Sequence, residues 1–135
     1  TPLGAMGLTI CYDLRFPDLY SRLSGAGATI FAVPSAFTKP TGAAHWHILL
    51  RARAIENAAF IVATAQSGRH EDGRETYGHS LVIGPWGDIL LDMGDREGIG
   101  FAQIDLTKVT AVRGQIAVHR HRRDIPVEVT RSERG

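Results

Sequence analysis

Two continuous apolar runs, Ala28 to Val33 (ATIFAV) and Phe60 to Ala65 (FIVATA), constrain this fold most. A strand with one wet face alternates apolar and polar residues. A run without alternation belongs to a strand covered on both faces. Between the two runs lies His45 to Ala59, the longest helix candidate, in which Trp46, Leu49, Leu50, Ala54 and Ala58 share a face at helical spacing. Strand, helix and strand in this order predict a layered α/β fold.

The remaining segments extend that pattern. Ala5 to Ile10 reads as a short apolar strand. Pro17 to Leu23 reads as a helix, with proline in its first turn and Gly25 and Gly27 stopping it. Pro34 to Gly42 and the polar stretch Gln66 to Tyr77 read as loops. His79 to Ile83 and Ile89 to Leu91 form a hairpin through the turn Pro85-Trp86-Gly87-Asp88. Gly100 to Ile104 reads as a further strand, and Leu106 to Ile116 as a last helix capped by Asp105 or Thr107. From Ala117 onward the chain is a basic, histidine-bearing tail with a charged end.

Composition narrows the function classes. At 135 residues with 44% hydrophobic content, the chain is sized for one domain with a real core. A formal charge of +1 argues against nucleic-acid or membrane partners. No apolar run approaches the roughly 20 residues that span a bilayer. The single cysteine excludes an internal disulfide and suits a cytoplasmic setting. The start lacks the shape of a signal peptide and enters a strand almost at once, as expected of a piece of something longer.

That cysteine, Cys11, follows the first strand in GLTICYDLRFPDLY. The carboxyl end of a strand beside a helix start is where open α/β sheets place their chemistry. A helix amino-terminus and a nearby guanidinium are surroundings in which cysteine sulfurs act as nucleophiles. The alternative is a small buried hydrophobe. The Tyr12 backbone N–H could face a developing oxyanion. Asp13 and Arg15 are close enough to pair, and Glu56 is placed to pair with Arg53 or Arg51. The cysteine lacks the flanking glycines of a hydrolase nucleophile elbow. His45 with His47, and His119 with His121, invite a metal reading, but no ligand set completes a four-coordinate site, so neither metal nor cofactor is expected.

The string ICYDLRFPDLY resembles the nucleophile motif of the nitrilase (carbon–nitrogen hydrolase) superfamily. PSAFTKPTGAAHWHILLRARAIEN, ATAQSGRHEDGRETYGHSLVIGPWGDIL and VHRHRRDIP look like its Nit branch, and the likeness runs from Gly7 to about Pro126. That branch holds ω-amidases and the amidase acting on deaminated glutathione; GRHEDGRETYGHS leans toward the latter. The resemblance implies an α-β-β-α sandwich, of which this chain would be the carboxyl-terminal half. It implies a Glu-Lys-Cys set that hydrolyses amides through a thioester, with Cys11 as nucleophile. The family's Glu and Lys lie upstream of the cysteine motif, so neither has a counterpart here. Arg15 and the loop Ser35, Ala36, Phe37 and Thr38, with parts of His45 and Trp46, would surround a small carboxylate-bearing amide. A homodimer or higher homo-oligomer is also implied. The rival readings are a non-catalytic module that acts through subunit association, and an N-carbamoyl amide hydrolase.

Overall fold

In the computed structural model, which describes residues 4–129, both apolar runs are central strands. Strand β1 (Met6–Leu8) pairs in parallel with β2 (Ile30–Ala32), and β2 pairs in parallel with β3 (Phe60–Ala63). Strands β6 (Leu81–Ile83) and β7 (Ile89–Asp92) add antiparallel, giving the order β1-β2-β3-β6-β7. The parallel pairs are joined by helices α1 (Pro17–Gly25) and α3 (His47–Asn57). A short helical turn α2 (Lys39–Thr41) and a wide turn, Gly42–Trp46, lead into α3.

The strand period sorts side chains onto two faces. Phe31, Ile61, Ala63, Leu81 and Ile83 point under α1 and α3 and meet Tyr20, Trp46, Leu50 and Ala54. This is the main core, and most of its members are fully buried. On the other face, Ile30 and Phe60 meet Val109 of α4 (Thr107–Gln115). Helix α4 is capped by Asp105, whose Oδ1 accepts from the Thr107 N–H at 3.0 Å and hydroxyl at 2.7 Å. It reaches back through Arg113, whose Nη2 donates to Ala28 O at 2.9 Å and Asn57 O at 3.3 Å. A cation at the carboxyl ends of α1 and α3 offsets their unpaired carbonyls.

Helix α4 covers only part of that second face. The row Leu8, Ala32, Val62, Val82 and Leu91 crosses all five strands in register. Leu8 is 74% exposed, and Ile10 just beyond it is 64% exposed. The two apolar runs read as covered strands are the mostly buried β2 and β3, whereas β1 leaves Leu8 exposed.

Two segments differ from the sequence expectation. Gln66 to Tyr77 is a two-stranded hairpin, β4 (Ser67–Arg69) with β5 (Glu75–Tyr77), rather than a loop. Its polar composition reflects exposure on a separate small sheet, which hides the period-2 signal. Gly100 to Ile104 forms no strand: Gly100 presses against Leu91 and Met93, and Phe101 is 88% exposed. A short helix α5 (Val118–His121) begins the basic tail; the charged end from position 130 and the first three residues lie outside the described residues.

The hairpin packs down on the wide turn at Gly42, where a Cβ would overlap the Tyr77 side chain. Gly42→Ala is therefore expected to destabilise the fold by about 1–3 kcal/mol, as overpacking does. Denaturant melts of the two proteins check this; an unchanged midpoint would show that the hairpin is not seated there.

Candidate active site

The carboxyl ends of β1, β2 and β3 converge on one cavity. After Leu8 the chain passes through Thr9, a buried residue whose hydroxyl lies 2.9 Å from the Tyr20 hydroxyl and donates to Ala32 O at 3.0 Å. Cys11 then opens a 3-10 turn, Cys11–Arg15. Its N–H donates to Pro34 O at 2.9 Å, at the end of β2. Ser35 bridges in parallel to Ala65, at the end of β3. Three strand ends are thus laced together beneath the cysteine.

Cys11 sits at φ 42°, in the left-handed region that non-glycine residues rarely occupy. Such a conformation costs about 1–3 kcal/mol and persists where its surroundings enforce it. Here the enforcement is visible. Asp13 folds back so that its Oδ2 accepts from Ile10 N–H at 2.9 Å, while Asp13 N–H donates to Ile10 O at 2.9 Å. From α3, the buried Arg53 donates through Nε and Nη2 to Leu14 O at 3.1 and 3.0 Å. Its Nη1 pairs with Glu56 at 3.0 Å, as the sequence spacing predicts. Arg53 is a positioning residue for the cysteine turn, and sequence reading gave it no such role.

Replacing Arg53 with Met would leave the buried Leu14 carbonyl without its donors. The expected cost is about 3 kcal/mol, because hydrogen bonds to charged groups and orphaned buried acceptors both weigh at this level. Chemical denaturation measures it; a loss under about 0.5 kcal/mol, the range of an ordinary surface change, would contradict the anchoring role.

The cavity occupies about 740 Å³ and is lined by Cys11, Ser35 and Ala36. Val62, Val82 and Leu91 form its floor, with Gln66 and Ser80 as polar points and Met93, Gly98, Ile99 and Gly100 as one wall. Cys11 is partly exposed at this rim rather than sealed in the core. No Asp, Glu, Lys or His stands among the described residues lining the cavity.

Other expected site residues lie elsewhere. Phe37 is 8% exposed and packs on Trp46, ring centroids 4.9 Å apart; neither lines the cavity. Thr38 bridges to Thr76 of the hairpin and bonds to the Thr41 hydroxyl at 2.9 Å. Arg15 does not pair with Asp13, which is engaged with Ile10. Its guanidinium lies over the Tyr12 and Phe37 rings, 5.6 and 5.4 Å from their centroids, with Nη2 3.4 Å from His45 Nδ1. It stands beside the cavity, outside its walls. Tyr12 exposes its ring, and its N–H belongs to the first turn, where helix bonds leave donors unused.

The carbon–nitrogen hydrolase family model matches residues 1–114. The chain belongs to the carbon–nitrogen hydrolase family. Among its relatives, the deaminated glutathione amidase of Rattus norvegicus is 49% identical over 123 residues, which are 91% of this chain and 38% of that protein. The chain thus spans well under half the length of this relative. The crystal structure of the Caenorhabditis elegans NitFhit protein matches at 50% identity and a TM-score of 0.88, over 91% of this chain and 30% of that one. An amidase from Nesterenkonia sp. AN1 matches at 30% identity and a TM-score of 0.67, over 86% of this chain and 44% of that one. In that structure acrylamide has added to the active-site cysteine. The mixed α/β arrangement of this carbon–nitrogen hydrolase chain is therefore the one its nitrilase-superfamily relatives share.

Proposed function

We propose that the protein is an amidase that hydrolyses a small carboxylate-bearing amide, of the deaminated glutathione or ω-amide kind, through a thioester on Cys11. One observation carries the reading: a strained, partly exposed cysteine at the rim of a cavity formed by three parallel strand ends. The relatives named for amide hydrolysis support the same reaction class.

In this reading the Cys11 sulfur attacks the amide carbon. The carbonyl oxygen takes negative charge, and the Tyr12 N–H donates a hydrogen bond to it. Collapse breaks the C–N bond, and the amine leaves carrying the proton released by the thiol, as ammonia from an ω-amide or as cysteinylglycine from deaminated glutathione. Water then attacks the thioester, giving the acid and restoring the thiol. Both steps need a general base. The described cavity walls offer none, so the base and a cationic oxyanion partner come from outside them; the resemblance implies a Glu and a Lys. Ser35, Ala36 and the apolar floor hold the acyl chain. Arg15, with Phe37 and Thr38 behind it, supplies the counter-charge for the substrate carboxylate at the mouth. The reading includes a homo-oligomer and a cytoplasmic setting; among the described residues no helix is long and apolar enough to cross a membrane.

Release of cysteinylglycine from deaminated glutathione, and of ammonia from ω-amides of dicarboxylic acids and from N-carbamoyl amino acids, by the full-length protein tests the substrate class. Turnover of the first two groups is expected. Turnover confined to carbamoyl substrates would replace this reading with carbamoyl hydrolysis, and turnover of none would favour a non-catalytic module.

A further inference from the structure

We propose that His47, His79 and Asp92 form a site for a divalent transition-metal cation of the zinc class, on the opposite side of the sheet from the Cys11 cavity. The three come from different elements: His47 opens α3, His79 precedes β6 and Asp92 ends β7. Asp92 pairs with Leu81 across the hairpin and so faces the helix layer.

The distances suit a metal. Asp92 Oδ2 lies 3.1 Å from His47 Nε2 and 3.2 Å from His79 Nδ1. One ligand atom from each residue falls within 4.8 Å of the others. Tetrahedral zinc with bonds of 2.0–2.1 Å holds its ligand atoms about 3.3–3.4 Å apart. Two edges of the triangle are already near that length, and only the edge between the imidazoles has to close. Each side chain is roughly a quarter to a third exposed, at 26%, 26% and 32%, so a cation can reach the site. Three protein ligands leave a fourth position for water.

The surroundings hold the donors in place, as outer contacts do in metal sites. Gly94 N–H donates to Asp92 Oδ1 at 2.8 Å. Tyr77 stacks on His79 at 4.3 Å between centroids and stands edge-on to His47 at 5.9 Å. Trp46 Nε1–H donates to His79 O at 2.8 Å. His79 itself is held at φ 57°, a conformation a histidine adopts under constraint. The ligand set is imidazole and carboxylate, which suits zinc, nickel or copper over calcium or magnesium. A bound cation would clasp α3 to the β6–β7 arm.

The test is calorimetric titration of the chelator-stripped protein with Zn²⁺, after Cys11 has been alkylated so that its sulfur cannot compete. One Zn²⁺ per chain is expected. The near-isosteric variants H47Q, H79Q and D92N should each weaken binding at least about tenfold, while H70Q on the hairpin should leave it unchanged. Absorption of the Co²⁺-loaded protein in the visible range should disappear in the same three variants. Absence of stoichiometric binding by the unsubstituted protein, or binding that all three variants retain, would overturn the proposal.

Discussion

In the full-length protein, Cys11→Ser is expected to remove amide turnover. Removing a hydrolase nucleophile can cost on the order of 10⁶ in kcat, and a serine in place of the thiol keeps a much weaker nucleophile, so a fall of at least about 10³ is expected. Stability should move little, by about 0.5 kcal/mol or less, because the substituted atom is partly exposed at a cavity rim rather than packed in the core. The left-handed backbone at position 11 is fixed by main-chain bonds to Pro34 and by Asp13 and Arg53, which the substitution does not touch. Steady-state ammonia release from an ω-amide and a thermal melt on the same sample separate chemistry from folding. Alkylation by iodoacetamide should inactivate the protein, with substrate protecting. Retention of most activity by the serine variant would move the nucleophile elsewhere.

The second large effect is association of the 135-residue chain when produced alone. The register row on the second face leaves Leu8 at 74% exposed, and Ile10 and Ile99, which line the cavity, stand exposed as well. Contiguous apolar surface of this kind belongs to an interface. Among the described strands, β1 and β7 each have one partner and present an open edge, a template for further pairing. Light scattering behind size exclusion is expected to show dimers or larger species at micromolar concentration, and Leu8→Ser with Ile10→Thr should shift them toward monomer. A monodisperse monomer that melts cooperatively would show that the face needs no cover.

The main architecture was legible because buried strands and an amphipathic helix write directly into composition. ATIFAV and FIVATA have no other stable placement than the middle of a sheet, and Asp105 announced the start of α4. The β4–β5 hairpin was not legible, because an exposed two-stranded ribbon carries no apolar alternation. Gly100 to Ile104 misled because its short apolar stretch reads as a strand, yet among the described residues no strand pairs with it. At the site, Cys11 could be placed from its position after a strand, while Ser35 and Ala36 came only with the family resemblance. The strain at Cys11 could not, since no flanking glycine marks it. Arg53 was visible only as a partner of Glu56; its grip on Leu14 O spans 39 positions, beyond any local spacing. His47, His79 and Asp92 are likewise separated along the chain, so only the fold assembles them.

The central claim is that an acyl group resides on the Cys11 sulfur during turnover. Acid quenching of the protein in the steady state with a small amide, followed by proteolysis and mass spectrometry, tests it directly. The peptide containing Cys11 should carry the acyl mass, sensitive to hydroxylamine and absent from Cys11→Ser. Turnover with that peptide unmodified, or with the acyl group on another residue, would contradict the account.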